Sequence, residues 1–333
     1  MSLITTTEFV HETNWRTLAA LEPVAAPLSA LVRRWPWPVP RRWGSIGTGP
    51  GQFDGPCGVA ISSGGDIVVC DRCNHRVQVF HSDGTFVRQW GSKGTALGQF
   101  QYPCSAAVSS ADEVFVADID SHRIQVFHLD GSFVRSWGSQ GDAPGQFNWI
   151  SGVAVHGDLV LVSELFNDRI QCFGLDGTFL QMWGGSGTAR GQLQGPTSLA
   201  VSAAGHVFVC DSHRVHVFGV DGTFRCRSGA KFDTPLWVAL SSSGEVLVGD
   251  ATRVHVLWAT NGFFVRRRRS ARDRAGTTHP DIDPLQLASV FKGLASPHSA
   301  SGMAVTASGD VVVCCWVTGT ICVDPAGRGR AQA

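Results

Sequence analysis

Residues 70–81 read CDRCNHRVQVFH, and the first six carry two thiols, an acid, an arginine and an imidazole. A Cys-x-x-Cys pair is the spacing of a zinc ligand pair or of a redox dithiol. A structural zinc site also needs a second ligand pair at suitable spacing, and none stands near Cys70 and Cys73. Cys57 and Cys104, each following a proline, and His75 are the other ligand types that one channel mouth could collect. They do not complete a ligand set, so neither a metal nor a cofactor is expected.

The same stretch has counterparts. ADIDSHRIQVFH follows at 117–128 and SELFNDRIQCFG at 163–174, so its acid and arginine recur. The motif GQF starts at Gly51, Gly98 and Gly145, with GQL at Gly191, a spacing of 46–47 residues. Asp-Gly turns recur at Asp83, Asp130, Asp176 and Asp221, and Trp-Gly at Trp43, Trp90, Trp137 and Trp183. Each unit holds four short runs of alternating β-branched and aromatic residues, GVAIS, DIVVC, RVQVF and TFVRQW in the first. Glycine and aspartate between them suit tight hairpin turns. Four strands in 40–47 residues is the period of a β-propeller blade.

Second-strand patterns at DIVVCD, EVFVAD, LVLVSE, HVFVCD, EVLVGD and DVVVCC predict six blades. The last unit ends at TICVD (320–324) without a fourth strand, while RRWGSIG at 41–47 matches the fourth-strand VRQWGSKG at 87–94. The fold class is therefore all-β, a six-bladed β-propeller whose N-terminal strand (41–47) completes the C-terminal blade. Such closure hides sheet edges. Outside the propeller, 41–325, lie an N-terminal extension (1–40) with a short-helix pattern and a Pro/Trp-rich linker, and a flexible tail (326–333). A long basic insertion, about 264–290, interrupts it between Pro235 and Pro297, taken as the prolines of blades 5 and 6.

A residue pair repeated in five blades points to a repeated structural job rather than to one active site. The pairs are Asp71/Arg76, Asp118/Arg123, Glu164/Arg169, Asp211/Arg214 and Asp250/Arg253. In each, the acid is expected to cap the loop between the second and third strands and the arginine to pack against it. Cys70 aligns with Ala117, Ser163, Cys210, Gly249 and Cys314, all small, as expected where blades converge on the axis. Histidines His75, His122 and His213 flank the repeated arginine, so the repeat accounts for them too.

The pattern GQF-x-x-P…G-x-V-x-V-x-D-x-x-N-x-R-I-x-V-F…DGTF resembles the NHL repeat, over about residues 41–324. The resemblance implies three kinds of protein: the protein- or RNA-binding ends of RING-bearing ubiquitin ligases, scaffolds, and zinc-dependent peptidyl-hydroxyglycine lyases. A RING needs about eight Cys/His ligands, and residues 1–40 contain no cysteine. A ligase role would then be that of a substrate-recognition adaptor in protein ubiquitination. The lyase reading would take channel-facing histidines as zinc ligands and Tyr102 as a catalytic group. The lyases' surrounding motifs are not visible here, so binding is favoured over catalysis.

Net charge is zero, so no global field draws nucleic acid or acidic lipid. The basic run Arg266, Arg267, Arg268 and Arg269 is the local exception and the place where RNA would be held. No apolar run reaches membrane-spanning length. Ten cysteines, mostly within apolar strand patterns, suit free thiols in a reducing compartment, the cytoplasm or nucleus. A monomeric propeller with a protein partner is expected.

In a repeat array the informative positions break the repeat. On the face shared by the second-to-third-strand loops and the loops entering the next blade, these are Trp149, Ile150, Glu164-Leu165-Phe166, Trp237, His298 and Trp316, and the expected binding surface around the channel mouth is Arg72, His75, His122, Trp149, Phe166, Trp237 and His298. Aromatic residues and arginine dominate binding hot spots, so this face is the expected interaction surface.

Overall fold

Alternating apolar runs separated by positive-φ glycines and aspartate turns pair with their nearest neighbours in sequence, which builds antiparallel sheets from local hairpins. The computed structural model describes residues 41–229, 232–241, 244–250, 254–260, 263–265 and 300–324. All belong to one compact unit, Pro38–Ala333; the other, Met1–Trp37, lies outside the described residues.

Six four-stranded antiparallel sheets form the blades. Blade 1 comprises Pro56–Ile61, Ile67–Asp71, Arg76–Phe80 and Phe86–Trp90. Blade 2 comprises Pro103–Val108, Glu113–Asp118, Arg123–His128 and Phe133–Trp137. Blade 3 comprises Ile150–His156, Leu159–Glu164, Arg169–Gly174 and Phe179–Gly184. Blade 4 comprises Ser198–Val201, His206–Asp211, Arg214–Gly219 and Phe224–Arg227. Blade 5 comprises Trp237–Leu240, Glu245–Gly249, Val254–Thr260 and Phe263–Val265. Blade 6 comprises Ala300–Val305, Val311–Cys315 and Thr320–Asp324, completed by Arg41–Trp43. The first strand of each blade touches the first strands of both neighbours, the last returning to the first, so the sheets close into a ring.

Closure has the expected strand and a shorter extent. Arg41, Arg42 and Trp43 pair with Val323, Cys322 and Ile321. Ile46 then bridges to Phe53 in the first GQF loop. One expected alignment is corrected: Ala300, opposite Cys315, and not Pro297, holds in blade 6 the place that Pro56, opposite Asp71, holds in blade 1.

The repeat motifs are packing devices. The GQF phenylalanines are fully buried. They lie on third-strand phenylalanines, Phe53 on Phe80 at 5.5 Å, Phe100 on Phe127 at 5.5 Å and Phe147 on Phe173 at 5.6 Å between ring centroids. In blades 1–4 the Asp-Gly turn lies against the preceding tryptophan. A Cβ on Gly84 would sit 2.8 Å from Trp43, and one on Gly131 3.0 Å from Trp90. Both glycines also have φ near +92°, which side chains seldom adopt.

Candidate interaction face

The repeated acid and arginine form a clamp on the GQF loop in blades 1–3. Asp71 accepts hydrogen bonds from the Asp54 N–H (2.8 Å), Asn74 Nδ2 (2.9 Å), Arg76 Nε (2.8 Å) and Gln78 Nε2 (3.0 Å). Arg76 donates onward to the carbonyls of Thr48, Gly49 and Gln52. Burial pushes the Asp71 carboxyl up from its ordinary pKa, and the bonds from Asn74, Asp54 and Arg76 oppose that. Glu164 and Arg169 repeat the pair at 2.6 Å. In blade 2 Ser121 replaces the asparagine. Asp118 Oδ2 and Arg123 Nε stand 3.5 Å apart, and those two atoms and Ser121 Oγ are buried without hydrogen-bond partners.

Blade 4 departs from the expected pairing, and in blade 5 a histidine also meets the acid. Asp211 meets His216 Nε2 at 3.1 Å, and Asp250 meets His255 at 2.5 Å. Arg214 instead donates to the Ser228 carbonyl (3.1 Å), and Arg253 lies outside the described residues. The reason is register. His216 lies opposite Val209 and His255 opposite Val248, as Gln78 lies opposite Val69. The imidazole thus takes over the glutamine's bond to the acid. The column Gln78, Gln125, Gln171, His216, His255 was readable in the sequence once the third strands were aligned. Arg76→Ala should therefore cost about 3–5 kcal/mol, the usual effect of stranding one partner of a buried ion pair. Arg214→Ala should cost less than about 1 kcal/mol. Denaturant unfolding of both variants checks the difference.

Around the axis, the residue after the blade-proline position hydrogen-bonds the next blade. Cys57 donates to the Pro103 carbonyl (3.3 Å), Cys104 to Ile150 (3.4 Å), Ser151 to Pro196 (2.6 Å) and Thr197 to Pro235 (2.7 Å). Ser301 donates to Pro56, which completes the circuit except at Leu236 in blade 5. Burial pushes the Cys57 thiol up to about 12 and those of Cys70, Cys104 and Cys314 well above the ordinary range. These are protonated donors, not thiolates. His75 is engaged too, with Nδ1 2.7 Å from the Gln101 carbonyl. No group of three or more metal-ligating side chains occurs among the described residues.

Backbone bonds fix the face on which the departures gather. The Cys73 N–H donates to Asp54, Ile119 to Tyr102, Leu165 to Trp149 and Ser212 to Gln194, at 2.9–3.2 Å. Each bond joins a second-to-third-strand loop to the loop entering the same blade. Trp149 and Phe166 pack at a tilt here, 5.4 Å between centroids, and Phe166 is 47% exposed. Trp149 has φ +59°, where blades 1 and 4 place Gly55 (+67°) and Gly195 (+58°). An indole in left-handed backbone is strain of the kind that gathers at functional sites. Arg72 lies over two rings, Tyr102 at 5.5 Å and Trp316 at 5.3 Å. His75 packs at a tilt on Tyr102, 5.0 Å between centroids, and the His122 Nδ1 is buried without a partner.

Other expected site residues fall elsewhere. Trp237 is only 5% exposed, packed with Leu247, Met303 and Val313. It stands directly opposite Gly249, where any Cβ would collide with the indole. Ile150 is fully buried. Trp237 and Ile150 thus contribute core rather than surface. His298 and Arg266 to Arg269 lie outside the described residues. The sequence offers Tyr102 a role only under the lyase reading and gives no sign that it, or Trp316, packs against Arg72.

The NHL repeat family model matches residues 53–80, within the first unit. The B-box type zinc finger protein ncl-1 of Caenorhabditis elegans is 51% identical over 45 residues, 14% of this chain and 5% of that protein. Protein brain tumor of Drosophila melanogaster is 44% identical over 45 residues, 14% of this chain and 4% of that protein. The match therefore spans about a twentieth of these relatives' length. Among solved structures, a streptogramin B lyase superposes with a TM-score of 0.59 at 11% identity, covering 86% of this chain and 97% of that one. At that identity the likeness is of fold alone.

Proposed function

Because this chain is an NHL-repeat β-propeller, we propose that it is a non-enzymatic interaction module that grips a protein partner on the loop face carrying Trp149, Phe166 and Arg72. Likeness to NHL-bearing relatives supports a protein-interaction role in general. One observation carries the particular surface: the Trp149–Phe166 pair breaks the repeat, holds strained backbone and leaves nearly half of Phe166 in solvent. Rigid aromatic pairs of this kind anchor interfaces. The finer reading is a scaffold, or a substrate-recognition adaptor beside a ubiquitin ligase. All ten cysteines are free thiols, which suits a reducing compartment such as cytoplasm or nucleus. No helix among the described residues is long and apolar enough to cross a membrane.

The Trp149→Gly/Phe166→Ala double variant tests the surface. Glycine relieves about 1 kcal/mol of left-handed strain, which roughly offsets a lost aromatic contact of about 0.5–1.5 kcal/mol. Melting should shift by no more than a few degrees, while partners recovered by affinity purification and mass spectrometry should be lost. Full recovery of the same partners would remove the face from consideration.

A further inference from the structure

Arg72 is the one cation in its column. The residue after the second strand is Ile119 in blade 2, Leu165 in blade 3, Ser212 in blade 4, Ala251 in blade 5 and Trp316 in blade 6. The Arg72 guanidinium touches two aromatic rings, one from the loop entering blade 2 and one from blade 6. Gly55 leaves room for this, because a Cβ there would sit 2.9 Å from the Trp316 ring and 3.1 Å from Cys73 Sγ. Stacking fixes the plane of a guanidinium and uses its faces, leaving the N–H edge for a planar, bidentate acceptor. No ion pair or side-chain hydrogen bond meets that edge among the described residues: Nε is enclosed without a partner, so the terminal Nη groups of this half-buried side chain are the ones a partner could reach.

Resting on the interaction reading above, we infer that Arg72 is the anchor for one carboxylate, supplied by an acidic side chain of the partner protein beside an apolar residue. Val317, next to Trp316 and 47% exposed, offers the apolar contact. A polyanion fits less well. Nucleic acid binding relies on several phosphate contacts, whereas Asp54 and Asp120 are exposed in loops of this same face and the chain carries no net charge.

The full chain, labelled with ¹⁵N-arginine, tests this by NMR, the Arg72 Nε–H being assigned by its loss in Arg72→Lys. Titration with N-acetyl-glutamate N-methylamide should move that resonance to saturation, and the neutral glutamine analogue should not. In parallel, Arg72→Gln should reduce recovered partner at least tenfold. Lack of a glutamate-selective shift, a response to hexauridylate alone, or full recovery with Arg72→Gln each overturns the assignment. If Arg72→Gln keeps partners that Trp149→Gly/Phe166→Ala loses, the carboxylate anchor falls and the interaction face stands. If both variants keep them, the face itself falls.

Discussion

Trp237→Ser should cost about 3–5 kcal/mol, as expected for emptying a fully packed aromatic site. Serine is the residue at the equivalent place in blade 4, where Ser198 lies opposite Cys210, while Trp237 lies opposite Gly249. Blade 5 has exchanged two small residues for one very large and one with no side chain. The indole fills the volume over Gly249 and reaches the blade 6 residues Met303 and Val313. Gly249→Cys alone should also destabilise, by about 1–3 kcal/mol or more, because the thiol must displace the indole. Together the two substitutions rebuild the blade 4 pair, so the double variant should be less destabilised than the sum by about 1–3 kcal/mol. Denaturant unfolding of the four proteins closes this cycle. Simple additivity would show that the indole does not occupy the Gly249 seat.

Loss of the closing strand should be comparably severe. Removing residues 41–43 leaves blade 6 with three strands and opens the backbone of Thr320–Asp324 as a free edge. It also removes Trp43, which packs on Phe80 at 6.1 Å and under Gly84 of blade 1. Trp43→Ala isolates the packing share, about 3 kcal/mol or somewhat less, since the residue is only partly buried. The deletion should lower the melting temperature further than Trp43→Ala and bring concentration-dependent aggregation through the exposed edge. Calorimetry and light scattering report the two effects. An unchanged melt after deletion would mean that the ring is held without strand sharing.

Much of this architecture was legible beforehand because its determinants are local. The runs GVAIS, DIVVC, RVQVF and TFVRQW alternate with the period of a strand, and the turn glycines mark where each hairpin reverses. Closure was legible because RRWGSIG repeats a fourth-strand pattern that the last unit lacks. The acid and arginine of blades 1–3 were legible as structural because they repeat.

The candidate face was less legible. Trp149 and Phe166 stood out as breaks in the repeat, but so did Trp237, and a sequence does not say which large aromatic faces inward. The register opposite Gly249 decided that. In blade 4 the acid's partner changes from arginine to His216, which stands where blades 1–3 carry glutamine, and the third-strand register is what places it beside Asp211. The Cys57-to-Pro103 bond joins residues 46 apart, and Ser301-to-Pro56 residues 245 apart.

The sequence by itself thus determined the blade count, the strand order within blades and the strand that closes the ring, since side-chain alternation and turn stereochemistry act over a few residues. The tertiary structure alone decided which side chains meet between blades: the Trp237–Gly249 exchange, the axial belt and the seat of Arg72 between Tyr102 and Trp316. Those contacts depend on the angle and register at which separate blades pack, and that geometry is set by the closed ring as a whole.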